Sequence, residues 1–242
     1  MSNARLFHVF QLKHRVADKR TFIPLRNSFE PDTTMQLYNR GIRRRLAPML
    51  GDRRLINLAY SVLFSLPGMP VIRYGEEIGM GDDLSLNERL SVRTPMQWSD
   101  APNAGFSTTA KTVRPVISQG PYCYSKVNVA AQRSDSTSLL NQISRLARLR
   151  KQYPEIGWGN WQILDTGSPH VLAIRYNWQG RSLLIVHNFS HKPQLCQLSG
   201  TLKADTKLIR LLADSLGRQS QPRNDRTIQL AGYGYGWYRL TP

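Results

Sequence analysis

Four carboxylates follow a short apolar run in the segment VIRYGEEIGMGDD, residues 71–83. They are Glu76, Glu77, Asp82 and Asp83, a quarter of the sixteen acidic residues in a chain whose formal net charge is +17. Carboxylates grouped in this way can transfer protons, accept hydrogen bonds from a ligand or bind a hard cation. The alternative is a structural role, since carboxylates also cap helices and pair with arginines such as those near this segment.

The elements before this segment place its first carboxylates at the end of a predicted strand. Residues 52–66 carry apolar side chains at helical spacing, and a Pro-Gly pair follows them. The β-branched run PVIRY, residues 70–74, then predicts a buried strand. Because ligand sites form beyond the carboxyl ends of strands in α/β folds, this order predicts that Glu76 and Glu77 lie near a binding cleft.

A long irregular stretch, residues 81–135, is rich in Asn, Pro, Gly and Ser. It exceeds the usual length of a connection in a compact domain, and loops of this kind are usually functional. A second amphipathic helix is predicted over residues 138–152, SLLNQISRLARLRKQ, with Pro154 closing it. The two predicted helices therefore precede and follow, in sequence, a long loop for which we expect a function.

From about residue 158 onward, the sequence changes to alternating apolar residues and turns. HVLAIRY and SLLIVHNF flank NWQG and predict a hairpin, and TKLIRLL, RTIQL and GWYRL predict later strands. These patterns are typical of a small antiparallel domain, a β-sandwich. Its tryptophans could stack on sugar rings, but aromatic residues of a small β domain more often belong to the core; they are Trp158, Trp161, Trp178 and Trp237.

Composition excludes several classes of protein. The chain has 242 residues, enough to bury a core, and its two cysteines form neither a metal-binding spacing nor a disulfide framework. No apolar stretch reaches the roughly 18 residues of a membrane span, and no signal peptide is recognisable. We therefore expect a soluble, cytoplasmic protein without a membrane partner. The basic residues are scattered and accompany no nucleic-acid-binding motif, so we do not expect nucleic acid as a partner.

Three motifs carry a resemblance to a known family: GMPVIRYGEEIGMGDD, SVRTPMQWSDAPNAGFS and SLLNQISRLARLRKQYP. With them the sequence resembles the α-amylase family of glycoside hydrolases, family 13, and in particular its trehalose synthase and oligo-1,6-glucosidase members. Residues 35–50, MQLYNRGIRRRLAPML, and residues 124–141, YSKVNVAAQRSDSTSLLN, are similar to the trehalose synthases. The resemblance covers roughly residues 35–242.

The resemblance implies a mixed fold class, α/β plus all-β. Residues 35–157 would be the C-terminal elements of a (β/α)8 barrel with a long loop, and residues 158–242 an antiparallel β-sandwich domain. Residues 1–34 are a divergent N-terminal segment without a predicted structure. The implied activity is on maltose or short α-glucosides, with the α-glucoside as partner and no cofactor.

The resemblance assigns no catalytic residue to this sequence. Retaining glycosidases use a nucleophile and an acid about 5 to 5.5 Å apart, and the family carries both upstream of the matching region. A third carboxylate belongs to an Asn-His-Asp motif, but no His-Asp dipeptide occurs here, and the nearest remnants surround His14 and Asn27. We expect the isolated chain to be inactive and a missing N-terminal half to be a partner. The alternative is a non-catalytic carbohydrate-binding or partner-docking module.

Arg93 is the substrate-binding residue that the resemblance implies best, with Glu76 and Glu77 at the rim of the same cleft. A guanidinium offers fixed donors to sugar hydroxyls or to a carboxylate. The structural alternative is a salt bridge from Arg93 to one of these two glutamates.

Other residues of the same region are expected to be structural. Trp98 is expected to pack within the loop, and Asn103, Gly105 and Phe106 to shape it, Gly105 in a turn that other residues would strain. The two aspartates of the acidic segment fall short of the about 6 to 8 oxygen ligands of a calcium site. No metal is therefore expected.

Overall fold

The computed structural model describes residues 36–37, 41–42, 44–198, 202, 205–213, 221–224 and 226–241. The divergent segment expected over residues 1–34 lies outside the described residues. No helix in the described part of the chain is both long and apolar enough to cross a membrane.

The fold consists of two compact units. The β unit contains residues 57–70 and 145–242, and the loop unit contains residues 71–144 and the described residues up to 56. The domain boundaries expected near residues 34 and 157 rest on sequence texture and stay predictions.

Short elements make up the loop unit. They are β1 (Gln36–Leu37), β2 (Gly41–Ile42), helix α1 (Leu46–Leu50), the first turn of helix α2 (Arg53–Ser65), the 3₁₀ turns Glu76–Ile78, Glu88–Val92 and Pro102–Gly105, and helix α3 (Val129–Ser134). β1 and β2 pair antiparallel. Ile78, Met80, Met96 and Val129 form a buried apolar cluster, so residues of the long loop supply much of the core of this unit.

Both predicted helices are confirmed: α2 spans Arg53–Ser65, and α4 spans Leu139–Gln152. A helix leaves its last four carbonyls without partners inside the helix. Arg150 of α4 donates from Nη1 to the carbonyls of Phe64 and Leu66, at 2.5 and 2.8 Å. This side chain therefore closes the C-terminal turn of α2.

The strand predicted over residues 70–74 is wrong. The segment is irregular, and Val71 is 78% exposed. A strand is stable only where neighbours complete its ladder of backbone hydrogen bonds, and no described strand pairs with residues 70–74. The β-branched run has a local preference for strand. Because no described strand pairs with it, the segment stays irregular.

The β unit contains the remaining elements. They are helix α5 (Glu155–Trp158), β3 (Asn160–Leu164), β4 (Val171–Trp178), β5 (Arg181–Asn188), β6 (Gln194–Gln197), β7 (Lys207–Ala213), β8 (Gln221–Asn224), β9 (Thr227–Leu230) and β10 (Tyr235–Thr241). One antiparallel sheet has the order β3-β4-β5-β10-β7, and the other has the order β6-β9-β8.

The predicted hairpin and the predicted later strands are confirmed. Trp178 of β4 pairs with Arg181 of β5, so Gln179 and Gly180 form a two-residue turn. Both turn residues have positive φ, 47° and 73°, as a type I′ hairpin turn requires. β7, β9 and β10 correspond to TKLIRLL, RTIQL and GWYRL, whereas β3, β6 and β8 are not among the predicted strands.

One apolar cluster joins the two sheets of the β unit. It contains Val171 and Leu184 from the first sheet and Cys196, Ile228 and Leu230 from the second, all buried. Two sheets that share one core leave alternate side chains pointing outward. The central strands β4, β5 and β10 are buried or half-buried at nearly every position, so both faces of these strands are covered and the expected alternation of burial is not seen in them.

The tryptophans of the β unit range from buried to exposed, and Trp178 is intermediate. Trp237 is fully buried, as expected of a core residue, but Trp158 is 79% exposed and Trp161 is 49% exposed. The core prediction is wrong for these two. Trp161 belongs to β3, which has a neighbour on one side only among the described strands, and Trp158 lies just before this edge strand in sequence.

Candidate functional site

Two carboxylates of the acidic segment have structural partners. Asp82 accepts hydrogen bonds from Arg44 Nε at 2.7 Å and from the Arg45 amide at 3.0 Å. Glu76 accepts from the Leu46 amide at 3.2 Å and lies 3.5 Å from Nη1 of Arg45. Both carboxylates therefore fix the chain at the start of α1, which is the structural alternative considered for them.

Arg45 connects the segments that carry the candidate ligand-binding residues. Its side chain is fully buried, and it donates to the carbonyls of Tyr74 at 2.9 Å and Val92 at 3.0 Å. Its guanidinium also lies 5.4 Å from the centre of the Tyr74 ring, a cation–π distance. Because Glu77 and Arg93 follow these two anchored carbonyls closely in sequence, Arg45 restrains the backbone beside both.

Glu77 and Arg93 line a common cavity of about 780 Å³, which we call the groove. Its other walls come from Tyr74, residues 94–96, Trp98 and residues between 106 and 114. Small-molecule sites usually have volumes of about 300 to 1,000 Å³. The structure thus brings Glu77 together with Arg93 and directs Glu76 to Arg45 and Leu46.

Three aromatic side chains are accessible on the wall of the groove. Tyr74, Trp98 and Phe106 are 46%, 47% and 51% exposed. The expectation that Trp98 packs within the loop is therefore wrong. Flat apolar surfaces beside a few charged groups are the usual composition of a site that binds a small polar ligand.

A left-handed turn shapes the loop that carries Trp98 and Phe106. Asn103, Ala104 and Gly105 all have positive φ, between 54° and 65°, and the Trp98 amide donates to the Ala104 carbonyl at 2.9 Å. A Cβ atom added to Gly105 would lie 2.4 Å from a hydroxyl oxygen of the loop. Glycine is therefore favoured there, in agreement with the expected loop-shaping role.

Arg93, Lys111 and Arg114 line the groove, and Arg73 precedes the lining residue Tyr74 in sequence. Burial lowers the pKa of Arg73 from its ordinary value, and repulsion from Arg45 and Arg93 lowers it further. Arg93 itself is exposed, and among the described residues it forms no salt bridge with Glu76 or Glu77. The ion-pair alternative for Arg93 thus receives no support, and its guanidinium is available to a ligand.

The groove can bind and orient a ligand, but its described residues do not form a catalytic pair. Glu77 is the only carboxylate among the described lining residues, and retaining glycosidases need two at about 5 to 5.5 Å. No three His, Cys, Asp or Glu side chains in the described part of the chain could jointly hold a metal ion. Asp83 accepts instead from the amide and hydroxyl of Ser85, at 3.0 and 2.6 Å.

Sequence reasoning missed several groove residues. The sequence predicts a strand at Tyr74 and does not distinguish Lys111 and Arg114 from the other basic residues of the loop, although all three line the groove. The length of the loop is the one feature of the sequence that points to a function for the two cations. It does not indicate which side chains perform that function.

The β unit holds a second buried cluster of polar groups. The Trp237 indole donates to Ser61 Oγ at 3.0 Å, and Ser61 Oγ lies 3.0 Å from Nε2 of His187. Burial lowers the pKa of His187 to about 3, so the imidazole is neutral at physiological pH. No carboxylate among its described hydrogen-bond partners orients the ring. The cluster therefore stabilises the fold and does not form a catalytic triad.

Two family models match the chain. The model described as "Alpha amylase, catalytic domain" matches residues 6–159, and the model described as "Sucrose hydrolase-like, C-terminal domain" matches residues 180–239. Together they confirm the predicted fold class, in which barrel elements are followed by an antiparallel β-rich domain.

Curated relatives match over most of the chain but over a small part of their own length. The trehalose synthase/amylase TreS of Mycobacterium tuberculosis is 41% identical over 212 residues, which are 84% of this chain and 35% of that protein. The amino acid transporter heavy chain SLC3A1 of Rattus norvegicus is 33% identical over 187 residues, 73% of this chain and 26% of that protein. The chain thus spans about a third, or less, of the length of these relatives.

Solved structures show the same fold. The crystal structure of Bacillus licheniformis trehalose-6-phosphate hydrolase superimposes with a TM-score of 0.69 and covers 87% of this chain and 42% of that chain. The sequence identity is 21%, so this likeness concerns the fold alone.

Proposed function

Because the chain belongs to the α-amylase family, we propose that its groove contacts an α-glucoside such as maltose in a trehalose-synthase-like or α-glucosidase-like enzyme of carbohydrate metabolism. The observation that carries this proposal is the composition of the groove. Exposed aromatic faces of Trp98 and Phe106 stand beside the charged groups of Arg93 and Glu77. Aromatic faces can cover the apolar side of a sugar ring, while charged groups form strong hydrogen bonds with its hydroxyls.

The groove would hold and orient the sugar, while groups outside it perform the chemistry. In the proposed complete enzyme, the reaction is retaining glycosyl transfer, either within maltose to give trehalose or to water. That reaction needs a nucleophile and an acid that sequence reasoning does not find in this chain, so we propose that the isolated chain is inactive. A separate N-terminal half is the proposed partner that would supply both carboxylates.

The first experiment measures turnover and binding with the purified full chain. We expect incubation with maltose to release neither glucose nor trehalose above the heat-killed blank. We expect calorimetric titration to detect maltose binding, and Arg93→Ala to weaken it by about tenfold or more, the usual loss for a hydrogen bond to a charged group. Arg133→Ala is the matched control, because Arg133 is exposed and does not line the groove.

The results separate the parts of the proposal. Binding that Arg93→Ala and Arg133→Ala weaken equally would contradict the assignment of the groove. Release of glucose or trehalose by the chain alone, abolished by Glu77→Gln, would contradict the proposed inactivity. The cytoplasmic location expected from the sequence also stays a prediction, which fractionation of cells expressing the chain would test.

A non-catalytic partner-docking or carbohydrate-binding module is the second candidate. One of the relatives, at 33% identity, is an amino acid transporter heavy chain. The two candidate functions predict different results when the chain is joined to a catalytic half from a relative. If the chain is joined to the N-terminal part of the Mycobacterium tuberculosis relative, the enzyme proposal predicts maltose turnover, whereas a pure docking module predicts none.

A further inference from the structure

The charges on the groove wall are unbalanced. Arg93, Lys111 and Arg114 all line it, and Glu77 is the only carboxylate among the described lining residues. All three cationic residues are exposed. A neutral sugar needs hydrogen-bond donors and acceptors in similar numbers, so an excess of cations is more than its recognition requires.

Nearby carboxylates do not neutralise these cations. In the described part of the loop unit, Asp82 pairs with Arg44 and Glu76 pairs with Arg45. Neither Lys111 nor Arg114 takes part in a salt bridge among the described residues. The positive potential of the groove is therefore directed to solvent, where it can attract an anionic ligand.

Hydrogen bonds within the loop fix the segment that carries the two added cations. The Asn103 side-chain amide donates to the Thr109 carbonyl at 2.6 Å, and the Thr112 hydroxyl donates to the Arg114 carbonyl at 2.6 Å. Nη1 of Arg114 also donates to the Arg93 carbonyl at 3.3 Å. The loop thus holds Arg114 against the wall that carries Arg93, which reduces the ordering needed when a ligand binds.

We propose that the groove takes a phosphorylated α-glucoside in preference to the neutral sugar, with the phosphate against Lys111 and Arg114 and the sugar against Trp98 and Phe106. This inference rests on the proposed function, because it names the substrate class of the same groove. Lysine and arginine form charge-assisted hydrogen bonds with phosphate, and such bonds are about twice as strong as neutral ones. A single phosphorylated sugar would thus contact both the aromatic and the cationic side chains of the wall.

Calorimetric titration of the full chain with three probes tests the proposal. The probes are trehalose, trehalose 6-phosphate and inorganic phosphate, at equal ionic strength. We expect trehalose 6-phosphate to bind about tenfold or more tightly than trehalose, and inorganic phosphate to bind more weakly than the phosphorylated sugar. We also expect the preference to shrink between about 0.05 and 0.5 M salt, because salt screens exposed charges.

Substitutions test whether the preference for trehalose 6-phosphate over trehalose arises in the groove. Lys111→Ala and Arg114→Ala should each reduce the affinity for trehalose 6-phosphate by about tenfold and reduce the affinity for trehalose much less, so the ratio of the two affinities falls. Lys151→Ala is the control, since Lys151 is exposed, carries the same charge and does not line the groove. Arg114→Lys retains the charge and should restore part of the preference.

Each result decides between the two proposals. Equal affinities for the two sugars, or an equal effect of Lys151→Ala and Lys111→Ala, would overturn the phosphate preference and leave the proposed function in place. Inorganic phosphate binding as tightly as trehalose 6-phosphate, without detectable trehalose binding, would overturn both, because the sugar would then contribute nothing.

Discussion

Trp98 in the loop unit and Trp237 in the β unit have the same side chain but differ in burial and in hydrogen bonding. Trp237 is fully buried, and its indole N–H donates to Ser61 Oγ at 3.0 Å. Trp98 is 47% exposed and lines the groove. A buried tryptophan with its one donor satisfied contributes to stability, whereas a half-exposed one leaves about half of its surface for a ligand.

The polar groups of the two units differ in the same way. In the β unit, Ser61 bridges Trp237 and His187, so these buried groups are engaged with one another. In the loop unit, Arg45 is buried and bonded to two carbonyls, but Arg93 is exposed beside the groove. Buried side chains with internal partners thus maintain the fold, whereas exposed side chains that line the groove are the candidates for function.

The largest expected contrast is between alanine substitutions of the two tryptophans. Trp237→Ala should lower the free energy of unfolding by about 3 to 5 kcal/mol, because it leaves a large cavity in the β unit. Trp98→Ala should lower it by about 1 to 2 kcal/mol, because only about half of this side chain is buried. Urea unfolding of both variants measures the difference, and equal losses would contradict the division into a stabilising and a ligand-facing tryptophan.

The next effect is a pH dependence of the free energy of unfolding, and it comes from His187 in the β unit. The pKa of His187 is about 3 in the folded state and about 6.5 in the unfolded chain. As the pH falls below 6.5, the unfolded state takes up a proton that the folded state does not, so the free energy of unfolding should decrease by about 1.4 kcal/mol per pH unit. At pH 5 the loss should be about 2 kcal/mol.

Unfolding midpoints at pH 7.5 and pH 5 test this effect. His187→Gln should remove most of the difference, while His170→Gln, at an exposed position, should retain it. If both variants kept the same pH dependence, the buried cluster would not be its source.

A smaller effect is expected at the turn that positions Trp98. Gly105 has φ of 65°, a conformation that costs other residues about 1 to 2 kcal/mol, and a Cβ atom there would lie 2.4 Å from Ser99 Oγ. Gly105→Ala should therefore destabilise the loop unit by about this amount and weaken sugar binding. Gly157→Ala is the control, because its Cβ would meet nothing within 4 Å. Equal stabilities of the two variants would show that the turn tolerates a side chain.

The elements that could be predicted from sequence are those set by local patterns. The α2 and α4 helices follow from apolar spacing and stop signals, and the β4–β5 hairpin follows from its turn residues. The resemblance to family 13 is also confirmed, because it rests on rare residues in a fixed order. The strand expected at residues 70–74 failed because strand formation depends on a pairing strand, which a local pattern does not contain.

The candidate site could be predicted only in part. Glu76 and Glu77 are adjacent and chemically identical, but residues of a 3₁₀ turn point about 120° apart. Glu76 consequently reaches Arg45 and Leu46, and Glu77 lines the groove. The same limit applies to Trp158 and Trp161, since exposure depends on whether a strand lies at the edge of a sheet.

The most direct test of the central claim is to follow the indole N–H signals of the five tryptophans by NMR during titration with maltose. Single substitutions would assign each signal. We expect the Trp98 signal to shift with increasing maltose and the Trp237 signal to stay unchanged. Shifts confined to Trp158 and Trp161, with Trp98 unchanged, would contradict this expectation and place sugar binding at the edge of the β unit.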